Sequence, residues 1–205
     1  MSIVMAIKDK DRVYMACDSQ TTQGTIKHII QNEGSCKIFR PYGMKNCLIG
    51  GVGLSNGINV LRYQSLFSEA ECLKNEIDHE FIQNELCFRV RDIIKDKDLA
   101  GNNENAMLSS NYIICHKNDI YHINEDLCVK EYPEFGAAGC CKDVALGCLA
   151  SSKDEDVKKR LIKAMIACCD NDRNVDFPLV IMNTKTSKVE VLDEKDCYRY
   201  LEDNE

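Results

Sequence analysis

Ser2 is the first residue with chemistry to offer. It follows Met1, and a small second residue lets an aminopeptidase remove the initiator. Ser2 would then carry a hydroxyl and a free α-amine together. An α-amine has an ordinary pKa of about 7.7–8.0, so it can take a proton at neutral pH without a histidine. The two groups form a self-contained nucleophile and base. Such a site needs a cation near the hydroxyl to lower its pKa, and a carboxylate to hold that cation. Asp18 closes the second strand of an N-terminal hairpin, and Lys37 lies inside the otherwise apolar Cys36-Lys37-Ile38-Phe39. The segment Gly50-Gly51-Val52-Gly53 offers backbone N–H groups to an oxyanion.

Other residues attract attention and are set aside on physical grounds. The chain has 13 cysteines, an odd number, with no signal peptide and no Cys-x-x-Cys. The vicinal pairs Cys140-Cys141 and Cys168-Cys169 lack a second ligand pair at zinc spacing. Cys115-His116 and His122 fall in strand-like sequence, where neighbours point to opposite faces. The cysteines are therefore read as small buried hydrophobes in a reducing cytosol, with no metal and no cofactor expected. Cys17 points away from the Asp18 face and reads as buried. The Gly-x-Gly has no parallel βαβ surroundings, which discounts nucleotide binding. A net charge of −7 argues against nucleic acid and against anionic lipid. No apolar run approaches a membrane span.

The elements that must position these residues follow from periodicity. Residues 2–8 and 12–17 read as a hairpin about Lys8-Asp9-Lys10-Asp11. Thr21 to Ile30, with Gly24, reads as a projecting loop or ribbon. Residues 36–40 and 46–53 form a second strand pair. From Ser55 the spacing of Ile58, Leu61, Tyr63, Leu66 and Phe67 is helical, and a second helix covers roughly 78–97. Gly101-Asn102-Asn103-Glu104-Asn105 reads as a loop. A hairpin over 112–123 follows, and Cys128 to Tyr132 adds a strand. Gly136-Ala137-Ala138-Gly139 is expected to open a third helix from about Cys140 to Leu149. A fourth runs from Asp154 to Cys169, with Ser151, Ser152, Asp154 and Glu155 at its positive end. A last hairpin over 179–192 and a short acidic tail close the chain. The order is strands, two helices, strands, two helices, strands, and 205 residues suit one domain, 1–205. An α+β fold, a four-layer α-β-β-α sandwich of two antiparallel sheets, buries every apolar face.

Four segments carry a family resemblance: Ser2-Ile3-Val4-Met5-Ala6-Ile7-Lys8, Val13-Tyr14-Met15-Ala16-Cys17-Asp18-Ser19-Gln20, Lys37-Ile38-Phe39 and Leu48-Ile49-Gly50-Gly51-Val52-Gly53. They resemble the opening of proteasome-type β-subunits and the HslV-like peptidases, which are N-terminal nucleophile (Ntn) hydrolases. The resemblance is specific over residues 2–54 and follows element order over the rest. It implies Ser2 as nucleophile, Asp18 and Lys37 as the residues that tune it, Gly51 as the oxyanion donor, and Thr21 in the segment that binds substrate main chain. Asp170 is the match to a later aspartate. The implied activity is peptide-bond hydrolysis through an acyl-enzyme, in a homo-oligomer (a dimer or ring), with an ATPase unfoldase as a partner the family allows. Two departures stand out. Ala137 falls where the family has the serine of a Gly-Ser-Gly turn, and no Ser-Gly follows Asp170. These keep open a catalytically silent assembly or binding subunit, and hydrolysis of a small amide is a further alternative.

Overall fold

A computed structural model of the chain describes residues 2–23, 25–30, 33–97, 108 and 110–204. Met1, Gly24 and the expected loop Gly101-Asn102-Asn103-Glu104-Asn105 lie outside the described residues. The N-terminal hairpin is β1 (Ile3–Asp9) and β2 (Arg12–Cys17), in register Val4↔Cys17 through Asp9↔Arg12. The ribbon is β3 (Gln20–Gln23) with β4 (Ile26–Ile29). Then come β5 (Ile38–Phe39), β6 (Cys47–Gly53) and helix α1 (Ser55–Arg62). Helix α2 (Glu69–Lys74) follows. Next are α3 (His79–Phe81), a π-helical turn (Ile82–Leu86) and α4 (Cys87–Asp96). Strands β7 (Ser110–His116), β8 (Asp119–Ile123), β9 (Val129–Tyr132) and β10 (Phe135–Gly139) precede α5 (Lys142–Ser151) and α6 (Val157–Asn171). The chain ends in β11 (Leu179–Asn183), β12 (Val189–Leu192) and α7 (Glu194–Glu202).

One sheet runs β10-β1-β2-β11-β12 and the other β5-β6-β7-β8-β9. Strand alternation splits their side chains among three apolar layers. Val4, Ala6, Val13, Met15, Leu48, Ile113 and Ile120 pack between the sheets. Ile3, Met5, Ile7 and Ile181 face the opposite way, onto Leu149 of α5 and Leu161, Met165 and Cys168 of α6. Ile49, Tyr112, Ile114 and Tyr121 pack against Leu61, Leu86, Val90 and Ile94 on the far side. This is the four-layer sandwich. β1 is buried on both faces because it lies between a helix layer and the second sheet.

Three expectations need correcting. Gly136-Ala137-Ala138-Gly139 is a strand, not a helix start: Met5 pairs with Ala137 and Ile3 with Gly139. Its small residues carry no strand signal, and pairing with β1 overrides local propensity. The fourth helix begins at Val157, and Asp156 caps it by accepting from the N–H groups of Lys158 and Lys159. The first helix ends at Arg62, which leaves Tyr63 exposed while Leu66 and Phe67 reach the core from irregular backbone. No helix among the described residues is long and apolar enough to cross a membrane.

All 13 cysteines are unbridged. Cys17, Cys36 and Cys115 lie between the sheets. Cys141, Cys168 and Cys197 lie under α5–α7, and Cys47 and Cys87 under α1–α4. His116 meets Asn75 Oδ1 at 3.3 Å and His122 meets the Tyr132 hydroxyl at 3.1 Å, so the two histidines serve different neighbours.

Candidate active site

Ser2 directly precedes β1 and is almost wholly buried. Its carbonyl is fixed by β10 and the turn that follows. The N–H of Cys140 donates to it at 3.0 Å, and the Cys140 thiol lies 3.5 Å away. Gly139 makes this approach feasible. A Cβ there would sit 1.9 Å from the Ser2 carbonyl oxygen, and its φ of +127° disfavours any side chain.

Asp18 follows the last residue of β2 and is fully buried. Its Oδ1 accepts from the Ile3 N–H at 2.9 Å and pairs with Lys37 Nζ at 2.7 Å; its Oδ2 accepts from the Gln20 N–H at 3.1 Å. Every partner is a donor, the arrangement an ionised carboxylate requires. Burial pushes the carboxyl above its ordinary range, and the Lys37 charge with these hydrogen bonds opposes that push. Lys37 is 3% exposed and also donates to the Gln20 carbonyl at 2.6 Å. A lysine protecting a sheet edge would stand in solvent; this one is sealed against a carboxylate.

Two cavities adjoin these residues. One of about 360 Å³ is lined by Ser2, Gly53, His122, Gly139, Cys140 and Lys142, among others. Another of about 220 Å³ is lined by Thr21, Lys37, Ser55 and Ile58. Thr21 is half-buried on the ribbon and faces His28 across it.

Gly51, Asp170 and Ala137 do not line the Ser2 cavity. The Gly51 N–H donates to the Lys37 carbonyl at 3.0 Å, so it is committed within the sheet. Gly51 does not line the Ser2 cavity, whereas Val52 and Gly53 do. Asp170 is exposed near the end of α6. Two residues on, Asp172 hydrogen-bonds Cys140 and accepts from the Asn174 N–H and Nδ2 at 2.9 and 2.7 Å. Burial works to raise the Asp172 carboxyl, but these bonds bring it below its ordinary value. Ala137 is buried under the helix layer, away from the site. The residue that meets Ser2 is Cys140, whose thiol is pushed up to about 11 by burial and by Asp172, and so is neutral at pH 7. The sequence alone hides it, because Gly139, which precedes the turn, reads as the end of Gly136-Ala137-Ala138-Gly139. The vicinal Cys140-Cys141 after Gly139 was the available signal.

Among the described residues no group of three or more His, Cys, Asp or Glu could hold a metal. What the arrangement offers is a buried ion pair hydrogen-bonded to the residue after a serine, beside a cavity that the serine lines.

No family model and no curated protein sequence matches the chain. Solved structures do. BPH of Thiobacillus denitrificans in complex with epoxomicin aligns with a TM-score of 0.68 and 16% identity, over 91% of this chain and 100% of that one. Anbu, the ancestral beta-subunit from Yersinia bercovieri, gives 0.68 and 15%, over 97% and 90%. Eukaryotic HslV from Trypanosoma brucei gives 0.60 and 18%, over 90% and 99%. The chain has the fold of these proteasome-like Ntn hydrolases.

Proposed function

We propose that the protein, acting as one domain over residues 1–205, is a proteasome-like Ntn peptidase whose nucleophile is Ser2 after removal of Met1. The observation that carries this reading is the sealed Asp18–Lys37 pair, tied to β1 through the Ile3 N–H. In the proposed reaction the Ser2 α-amine takes the hydroxyl proton as Oγ attacks the peptide carbonyl. Lys37, held by Asp18, favours the developing alkoxide. The carbonyl oxygen becomes an oxyanion, and Gly53 replaces Gly51 as the backbone group beside it, because the N–H groups of Gly51 and Leu54 are both committed, to Lys37 O and Ser110 Oγ. Collapse expels the amine product, which takes the proton from the α-amine, and leaves an ester on Oγ that water hydrolyses. Thr21 offers main-chain pairing to an extended peptide, and the cavity beside Lys37 receives a substrate side chain. The neutral Cys140 thiol and Asp172 support the N-terminus. An oligomer with enclosed sites, a peptide or unfolded-protein substrate and a cytoplasmic setting complete the reading, with an ATPase unfoldase as a partner in the manner of the family.

Intact mass gives the first test. Loss of Met1 supports the proposal, and retained Met1 overturns it, because Ser2 would then carry no free α-amine. The second is labelling by epoxomicin, the ligand bound by the Thiobacillus protein. Labelling of wild type and not of Ser2→Ala is expected. Equal labelling of both would sink the peptidase reading.

A further inference from the structure

The sandwich leaves two edge strands on one side, β5 and β12. Between them lies a cavity of about 190 Å³, lined by Arg40, Arg62, Phe39, Met182, Ser187 and Val189, among others. The two arginines differ from most others in the chain. Arg12, Arg89, Arg91, Arg160 and Arg199 each have a carboxylate within salt-bridge distance. Among the described residues, Arg40 and Arg62 make no ion pair. Each donates only to backbone carbonyls, Arg40 to Asn183 and Thr186, Arg62 to Cys36 and Ile38. The Nε–H of each is buried with no acceptor. A buried donor left unpaired carries a desolvation cost, and each of these guanidiniums bears its charge beside one cavity. Arg62 also lies over the Phe39 ring, with its guanidinium carbon 5.1 Å from the centroid. Burial lowers the Arg40 pKa, the mark of a desolvated cation. The acid on β12, Glu190, is held by Lys158 and Lys188 at 2.7 and 3.2 Å.

We propose that this cavity binds a small doubly charged oxyanion of the phosphate type. Two guanidinium charges with no ion-pair partner among the described residues match such an anion's charge, and the Ser187 hydroxyl on the same cavity adds a donor. The cavity's size suits a free tetrahedral ion rather than a nucleotide. The overall charge of −7 draws no anion to the surface at large, so binding must come from this local cluster.

The test is titration of the purified full chain with sodium phosphate at pH 7 and constant ionic strength, read by phosphorus NMR and by Tm. Wild type should show a saturable response that chloride and acetate do not reproduce. Arg40→Gln should weaken it at least tenfold. Ser187→Asp keeps both arginines, sits at an exposed position and puts a carboxylate into the cavity; it should abolish the response while leaving the fold intact. Absence of a saturable wild-type response overturns the proposal, and so does an unchanged response in Ser187→Asp. Acetate binding as tightly as phosphate overturns the assignment of a doubly charged ligand. None of these readouts depends on peptidase activity.

Discussion

Two ion-pair clusters in this molecule use the same chemistry for different ends. Asp18–Lys37 is sealed between elements, with side chains 0% and 4% exposed. Arg89 bridges Glu71 and Glu85 on the helical face, at 2.7 Å to each and with all three groups partly in water. The surface cluster ties α2 to α4 and completes a capping box, in which the Ser68 N–H donates to Glu71 and the Glu71 N–H to Ser68. It adds a little stability at little desolvation cost. The buried pair gives up the hydration of two charges, and apolar residues of the same size would serve folding as well or better. A pair that folding does not require, next to a serine, points to chemistry.

Breaking the buried pair one-sidedly should have the largest effect. Lys37→Met leaves Asp18 charged and buried, and urea unfolding should show a loss of about 3–5 kcal/mol. Peptide turnover should fall about 100-fold or more. Asp18→Asn/Lys37→Met removes both charges and keeps an acceptor for the Ile3 N–H. It should regain most of the stability and none of the turnover. Recovery of both would make the pair structural. Next in size is Gly139→Ala, which forces a Cβ onto the Ser2 carbonyl. A loss of about 1–3 kcal/mol is expected, with a Tm drop to match.

Glu71→Gln should cost only about 0.5–1 kcal/mol, because Glu71 and Arg89 are both partly in water. Its pH dependence sharpens the comparison. Hydrogen bonding to Arg89 holds the Glu71 carboxyl down to about 2. Its contribution is therefore present above the unfolded value of about 4.5 and lost as pH falls toward 2. The gap between wild type and variant should close over that window; a gap unchanged at pH 2 would remove Arg89 as its cause. The smallest effect concerns His122, which lines the Ser2 cavity. Burial, with the charges of Lys130 and Lys142, lowers it to about 4. Neutral His122 favours the fold above about 6.5, and this contribution is lost as pH falls through 4. An NMR titration should find its midpoint near 4, and a midpoint at 6.5 would contradict the burial described for it.

The hairpins over 2–17 and 112–123 were legible because alternation and polar turns sit in the sequence itself. So were Asp18 and Lys37, since strand register carries them to one place. β10 was not, because Gly-Ala-Ala-Gly has no strand propensity; only pairing with β1 makes it one. α2 was legible in principle, since Ser68-x-x-Glu71 is a capping box. That the Gly51 N–H bonds Lys37 while Gly53 lines the Ser2 cavity, and that Asp172 rather than Asp170 bonds Cys140, are differences of two residues. These depend on where a bonded neighbour ends, which no local pattern records.

The thirteen unbridged cysteines amount to a set of internal probes. Cys128 and Cys140 are exposed, and every apolar layer holds at least two buried thiols. A thiol reagent followed by mass spectrometry would time the opening of each layer separately. The molecule could thus report, without any added label, whether its two sheets part from each other before its helices lift off.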